Sequence, residues 1–249
     1  MDRTPQKDPL LSRREPIVNA PAAVLWLVLA FVVVHVGRSL LSEIQDAYVV
    51  LGLGFIPARY GPDLYALPGG MVAAVTSFVT HIFLHGDVVH LAINSAWLLA
   101  LGSPVVRRLG AVRFMLYFLF CGAAGALAFL LINPGLAAPM VGASGAISGL
   151  MGGLLRFMFP AIDDGNGPAL QNGAPGVQRS SLGAALSDRR ILLTIGIWVI
   201  LNFVFAAGFS DYGAIAWEAH LGGFIAGFLA FGLFDRVATH TPDVAPPDV

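Results

Sequence analysis

Met140–Leu155 reads MVGASGAISGLMGGLL, a run without a single charge in which Gly145, Gly149 and Gly153 recur at four-residue spacing. On an α-helix that spacing stacks the glycines on one face. Such a stripe lets a second helix backbone approach closely, a device typical of helices packed in lipid. The bulk composition agrees. The chain of 249 residues is 57% hydrophobic and 12% charged, with a mean hydropathy of +0.77. A soluble domain carries roughly 25% charged residues. Half of that leaves too little polar surface to coat a water-exposed globule. The net charge of −1 gives no field for nucleic acid, which is excluded as a partner. The one cysteine, Cys121, lies in an apolar run, so no disulfide forms within the chain and it reads as a small core residue.

Outward from this run lie five more of similar character: Pro21–Gly37, Val88–Val106, Phe114–Ile132, Ile191–Ala207 and Trp217–Phe234. Each approaches the roughly 20 residues that cross a bilayer as a helix. Strand-like alternation is absent, which argues against a membrane barrel. The expected fold is therefore all-α, a polytopic membrane bundle of six transmembrane helices spanning residues 19–237. Residues 1–18 read as a polar cytoplasmic tail and residues 238–249 as a Pro-rich, disordered one. Residues 42–87 are broken by Pro57, Pro62, Pro68, Gly69 and Gly70, and the last apolar piece, Met71–Leu84, is short for a span. This segment is expected to be an ordered loop in the outer interface. Residues 161–188, rich in Gly, Asn, Ser and Pro, are expected to be a mobile cytoplasmic loop. With the N-terminus inside, twelve of the fourteen Lys and Arg fall on the cytoplasmic side, and only Arg38 and Arg59 fall outside. That is a positive-inside pattern. It places both termini in the cytoplasm, in a multi-pass protein suited to a bacterial inner membrane.

Polar side chains inside spans are costly and mark function by default. Here they are His90 and Asn94 in the second span, Ser144 and Ser148 in the fourth, Asn202 in the fifth and His220 in the sixth. The even-numbered spans all run from outside to inside. His90, Ser144 and His220 lie near the starts of theirs, roughly 5–10 Å below the outer surface at the helical rise. A hydroxyl and two imidazoles thus meet at one level, with Asn94 one turn below His90. This set suits acyl transfer. A serine needs a base to take its proton, and an imidazole does so near neutral pH. The tetrahedral intermediate then needs donors for its oxyanion. Candidates are Asn94, His90 and the backbone N–H of Ser144, near a positive helix end. No orienting carboxylate is evident, because Glu218 faces away from His220 and Asp211 lies in a loop. A Ser144–His220 dyad is expected. Asp87 reads as the N-cap of the second span, and Asn202 as a bond to a neighbouring helix. His81 and His85 either line a watery pocket, with Ser148, or tie down the outer loop. Gly142, Gly145, Gly223 and Gly227 read as close-packing positions, and no metal site is expected.

These residues resemble the rhomboid intramembrane serine proteases in three elements. The segment THIFLHGDVVHLAIN carries His81, His85, His90 and Asn94. GASG, Gly142–Gly145, resembles the family's GxSG. HLGGFIAG, His220–Gly227, resembles its HxxGxxxG. The resemblance implies Ser144 as nucleophile, His220 as base and oxyanion donors from Asn94, His90 and the Ser144 N–H. It also implies a V-shaped entrance between spans, a water-filled pocket and a mobile cap at Gly208–Gly213. No cofactor is implied. The implied partners are the bilayer and membrane-anchored protein substrates, often single-pass. Two positions depart from the family. Thr76-Ser77 stands where many members have Trp-Arg, and Ser148 stands where many have a tyrosine packed on the histidine.

Two other functions compete. A non-catalytic rhomboid-like adaptor binding client helices usually lacks the serine or the histidine, and both are present. A metal path through the histidines would need aligned intramembrane carboxylates, which the spans lack.

Overall fold

The structure, a computed structural model, describes residues 20–61, 67–208 and 216–236. Its helices in order are α1 (Ala22–Ser39), α2 (Glu43–Leu53), α3 (Gly70–Thr80), α4 (Val88–Trp97), α5 (Ser103–Leu109), α6 (Ala111–Ile132), α7 (Ser144–Asp163), α8 (Leu182–Ser187), α9 (Arg189–Gly208) and α10 (Trp217–Phe234). Helices α4 and α5 form one rod, Val88–Leu109, joined by a π-turn at Leu98–Gly102. Pro104 explains the turn. It cannot donate to the Ala100 carbonyl, and its ring crowds that position, so the helix widens locally. The Ser103 hydroxyl takes up the Leu99 carbonyl at 2.6 Å.

Among the described residues, five helices are long and apolar enough to cross a membrane: α1, the α4–α5 rod, α6, α7 and α10. The sixth expected span lies within α9, a 20-residue helix with no charge after Arg190. The protein is an all-α, multi-pass membrane bundle. The described residues contain one isolated β-bridge, Phe55 to Met140, and no strand.

Helix α7 forms the buried centre, with α6 and α10 against it. A methyl group on Gly152 would lie 2.6 Å from the Phe224 carbonyl oxygen, and one on Gly145 3.1 Å from that of Ala219. Gly223 and Gly227 on α10 lie against the Gly145 and Gly149 carbonyls. Apolar burial gives little net drive between helices already in lipid, so this close van der Waals contact is what sets their spacing. Helix α9 lies along α10 through Trp198 stacked on Phe224 (4.5 Å) and Phe203 against Trp217 (4.8 Å).

Three expectations need correction. The fourth span does not begin as a helix at Met140. Met140 pairs with Phe55, and Gly142 at φ +118° donates to the His81 carbonyl at 2.9 Å, so the helix starts at Ser144. Apolarity continues across that boundary, which hides it in the sequence. The segment 42–87, expected as a loop, carries two helices, α2 and α3. Ser42 and Gln45 form a reciprocal capping box that starts α2. The segment Ala161–Asp188 is folded rather than loose. Ala174, Val177 and Ala185 are buried, and Arg108 and Arg156 bond the carbonyls of Val177 (3.0 Å) and Ser180 (2.7 Å). The expected cap, Gly208–Gly213, falls almost wholly outside the described residues, as do both tails.

Candidate active site

Ser144 is the first residue of α7 and His220 the fourth of α10. Their side chains meet, with His220 Nε2 2.7 Å from Ser144 Oγ. The glycine contacts one turn deeper allow this approach, since bulkier residues would hold the two backbones apart. At the far side of the ring, His220 Nδ1 lies 2.7 Å from the Asn202 side-chain oxygen on α9. The Asn202 amide nitrogen lies 3.3 Å from the Trp217 carbonyl. A carbonyl only accepts, so the NH2 faces Trp217 and the oxygen faces His220. Nδ1 therefore carries the ring proton and donates it to Asn202. Nε2 is left with a free lone pair for the Ser144 hydroxyl, the tautomer a general base needs.

The second wall is α4. Asp87 caps it, accepting the His90 backbone N–H at 2.8 Å. That bond holds the Asp87 carboxyl below its usual range. Gly86 N–H points at His90 Nδ1 at 3.5 Å, which favours the proton on Nε2. That nitrogen faces Gly142, where a methyl group would come within 2.6 Å of it. Asn94 is buried and donates one amide hydrogen to the His90 carbonyl at 3.1 Å. Its second hydrogen remains for another acceptor. Gly142 N–H is spent on the His81 carbonyl. The Ser144 N–H, in the first turn of α7, has no partner within the helix. The Asn94 amide nitrogen also lies against Gly142, 3.7 Å from where that methyl group would stand, two residues before Ser144. A hydroxyl bonded to an imidazole of this tautomer, with polar N–H groups on the neighbouring wall, is a set chemically suited to acyl transfer.

The Rhomboid domain family model matches residues 72–236. The chain belongs to the rhomboid family. Rhomboid protease GluP of Bacillus subtilis (strain 168) is 33% identical over 154 residues, 61% of this chain and 24% of that protein. RHOMBOID-like protein 4 of Arabidopsis thaliana is 41% identical over 78 residues, 31% of this chain and 19% of the relative. Rhomboid-like protease 3 of Toxoplasma gondii is 24% identical over 143 residues, 56% of this chain and 49% of that protein. The chain thus matches half or less of the length of these curated relatives.

Two rhomboid features are built differently here. Near Thr76-Ser77, where the resemblance leads to the expectation of a Trp-Arg pair, the segment is tied by Arg59 and Tyr60. The fully buried Arg59 bonds the carbonyls of Pro68 (2.8 Å) and Leu51, and the Tyr60 hydroxyl bonds that of Ala74 at 2.7 Å. Ser77 contributes its carbonyl to the His81 ring at 2.7 Å. The His81 ring thus bonds back to its own helix, while its backbone carbonyl links the end of α3 to Gly142. His85 is buried beside Phe31 (4.9 Å) and His90 (5.2 Å), and neither of its ring nitrogens has a protein hydrogen-bond partner. Burial pushes its pKa down to about 4, so it is neutral at physiological pH. Ser148, the usual tyrosine position, is buried one turn below Ser144. Glu218 is turned to Asn133, which donates to it at 2.8 Å. Asn202 bonds a neighbouring helix as expected, but that its partner there is the His220 ring was not read from the sequence. Its signal was present, a polar side chain in an apolar span, but the sequence does not say which group of the next helix the amide meets.

Proposed function

We propose that this rhomboid is a serine endopeptidase that hydrolyses peptide bonds in or near the transmembrane segments of membrane-anchored proteins. The observation that carries the reading is the 2.7 Å contact between Ser144 Oγ and His220 Nε2. Ser144 Oγ attacks the scissile carbonyl carbon as its proton passes to Nε2. Negative charge moves to the carbonyl oxygen, within reach of Asn94, His90 Nε2 and the Ser144 N–H. Collapse breaks the C–N bond, and the amine leaves with the proton from Nε2. Water then attacks the acyl ester on Ser144 and gives a proton to Nε2. The C–O bond to Ser144 breaks, the acid product departs, and Oγ recovers the proton.

A transmembrane helix hides its peptide bonds in its own hydrogen bonds. The substrate must therefore offer a locally unwound stretch, and a single-span protein with small residues near the outer end of its anchor does so most readily. The orientation has both termini cytoplasmic and the site toward the outer face. It is supported by the basic residues at the far end, where Arg108 pairs with Asp235 at 2.9 Å. Residues 19–237 form the protease unit. The test is co-expression with a panel of tagged single-span reporters, wild type against Ser144→Ala, with cut sites mapped by mass spectrometry. Cleavage by wild type alone is the expected result. Equal cleavage by both, or cleavage by neither, overturns it.

A further inference from the structure

We propose that Asn202 is the positioning residue of this site, a neutral third member that acts through His220 in the place of an orienting carboxylate. The inference rests on the protease reading above and adds to it the group that fixes the base.

Four observations carry it. Asn202 is 8% exposed, whereas Phe203 and Val204 beside it are 45% and 57% exposed. Helix α9 thus shows lipid an apolar surface and turns an amide inward. A buried amide without partners is costly in this setting, and it has two here, His220 Nδ1 at 2.7 Å and the Trp217 carbonyl at 3.3 Å. Those partners fix which end of the amide faces the ring, and so which ring nitrogen carries the proton. No other described side chain hydrogen-bonds Nδ1: Glu218 is turned to Asn133, and Ser144 takes the opposite nitrogen. Finally, the tyrosine expected to hold the histidine is Ser148, too short to stack on an imidazole. The amide from the neighbouring span does that work from the other edge of the ring.

The chemistry of the substitution is specific. An asparagine oxygen accepts the Nδ1 proton and stabilises the imidazolium by its dipole, without a charge of its own. Asparagine serves histidine in this way in unrelated cysteine proteases. Among the described residues, the other titratable group facing the ring is His90 on α4; Glu218 on α10 is turned to Asn133, and the charges of α9 are Arg189 and Arg190 at its opposite end. The acid limb of the rate profile therefore responds chiefly to what stands at position 202.

The experiment measures kcat, KM and the pH–rate profile of full-length protein on a cleaved reporter. The variants are Asn202→Leu, close in volume and suited to a lipid-facing helix, and Asn202→Asp, which keeps the acceptor. Asn202→Leu should lower kcat on the order of 10- to 100-fold with KM nearly unchanged, and its acid limb should move to lower pH. Asn202→Asp should recover most of kcat above neutrality, with its acid limb about one unit higher from the added charge. A kcat for Asn202→Leu within twofold of wild type overturns the inference. So does a loss confined to KM, or an unmoved acid limb in both variants. A wild type that fails to cleave, or cleavage that survives Ser144→Ala, sinks the protease reading first and takes this inference with it.

Discussion

Gly223→Ala should disable the site from a residue that touches neither reacting atom. A methyl group there would overlap the carbonyl oxygen of Gly145, the residue after Ser144. The obstacle is backbone, so no side-chain rotation relieves it. Restoring contact requires α10 to withdraw from α7 by about 1 Å or more, the scale on which overpacked cores lose roughly 1–3 kcal/mol. His220 lies one turn before Gly223 on the same helix and withdraws with it. Its 2.7 Å bond to Ser144 then stretches to about 3.7 Å, beyond hydrogen-bond reach. Reporter cleavage should fall at least about tenfold, as expected for losing a base's grip on its nucleophile, with a lower unfolding midpoint in detergent. Gly196→Ala is the control. Nothing lies within 4 Å of that position, so the alanine should leave activity intact and raise stability by up to about 1 kcal/mol. Full activity in Gly223→Ala would refute the idea that carbonyl contacts between α7 and α10 set the site's geometry.

Gly142→Ala adds a methyl group at φ +118°, 2.6 Å from His90 Nε2. Strain of about 1–3 kcal/mol and displacement of the oxyanion wall should cut cleavage more than stability, and unchanged kcat would contradict the role given to that wall. Asp235→Ala removes the carboxylate that Arg108 and Arg179 share, leaving the buried Arg108 with backbone carbonyls as its polar partners and, among the described residues, no counter-charge. It should cost about 3–5 kcal/mol in detergent unfolding, and a loss under 1 kcal/mol would show the pair to be well hydrated. Arg38 bonds both oxygens of Asp46 and holds its carboxyl below the ordinary 3.8. The pair's stabilisation is therefore present above that pH and fades as pH falls through the lower folded value. Asp46→Asn should be less stable than wild type at neutral pH and equal to it in strong acid, and a gap that persists in acid would contradict the linkage.

Much of the fold was legible because lipid enforces a coarse code: long uncharged runs, broken by basic residues on one side. The polar residues of the site stood out for the same reason, since Ser144, His220, His90 and Asn94 are expensive where they lie. What stayed hidden depends on tertiary pairing. The start of α7 at Ser144 is set by the backbone pairing of Met140 with Phe55 and by the Gly142 N–H donating to the His81 carbonyl, partners far away in sequence. The folding of segment 161–188 depends on arginines of α5 and α7 reaching its carbonyls. Asn202 reads as one more polar residue in a span until α9 and α10 are side by side. Its partner is then the imidazole edge of His220.

The most direct measurement is active-site labelling by a fluorophosphonate in detergent or nanodiscs, comparing wild type, Ser144→Ala and His220→Ala. The account predicts a covalent adduct on Ser144 in the wild type, none in Ser144→Ala, and labelling slowed by about 100-fold or more in His220→Ala. An adduct on any other residue, or equal labelling rates in all three proteins, would contradict it.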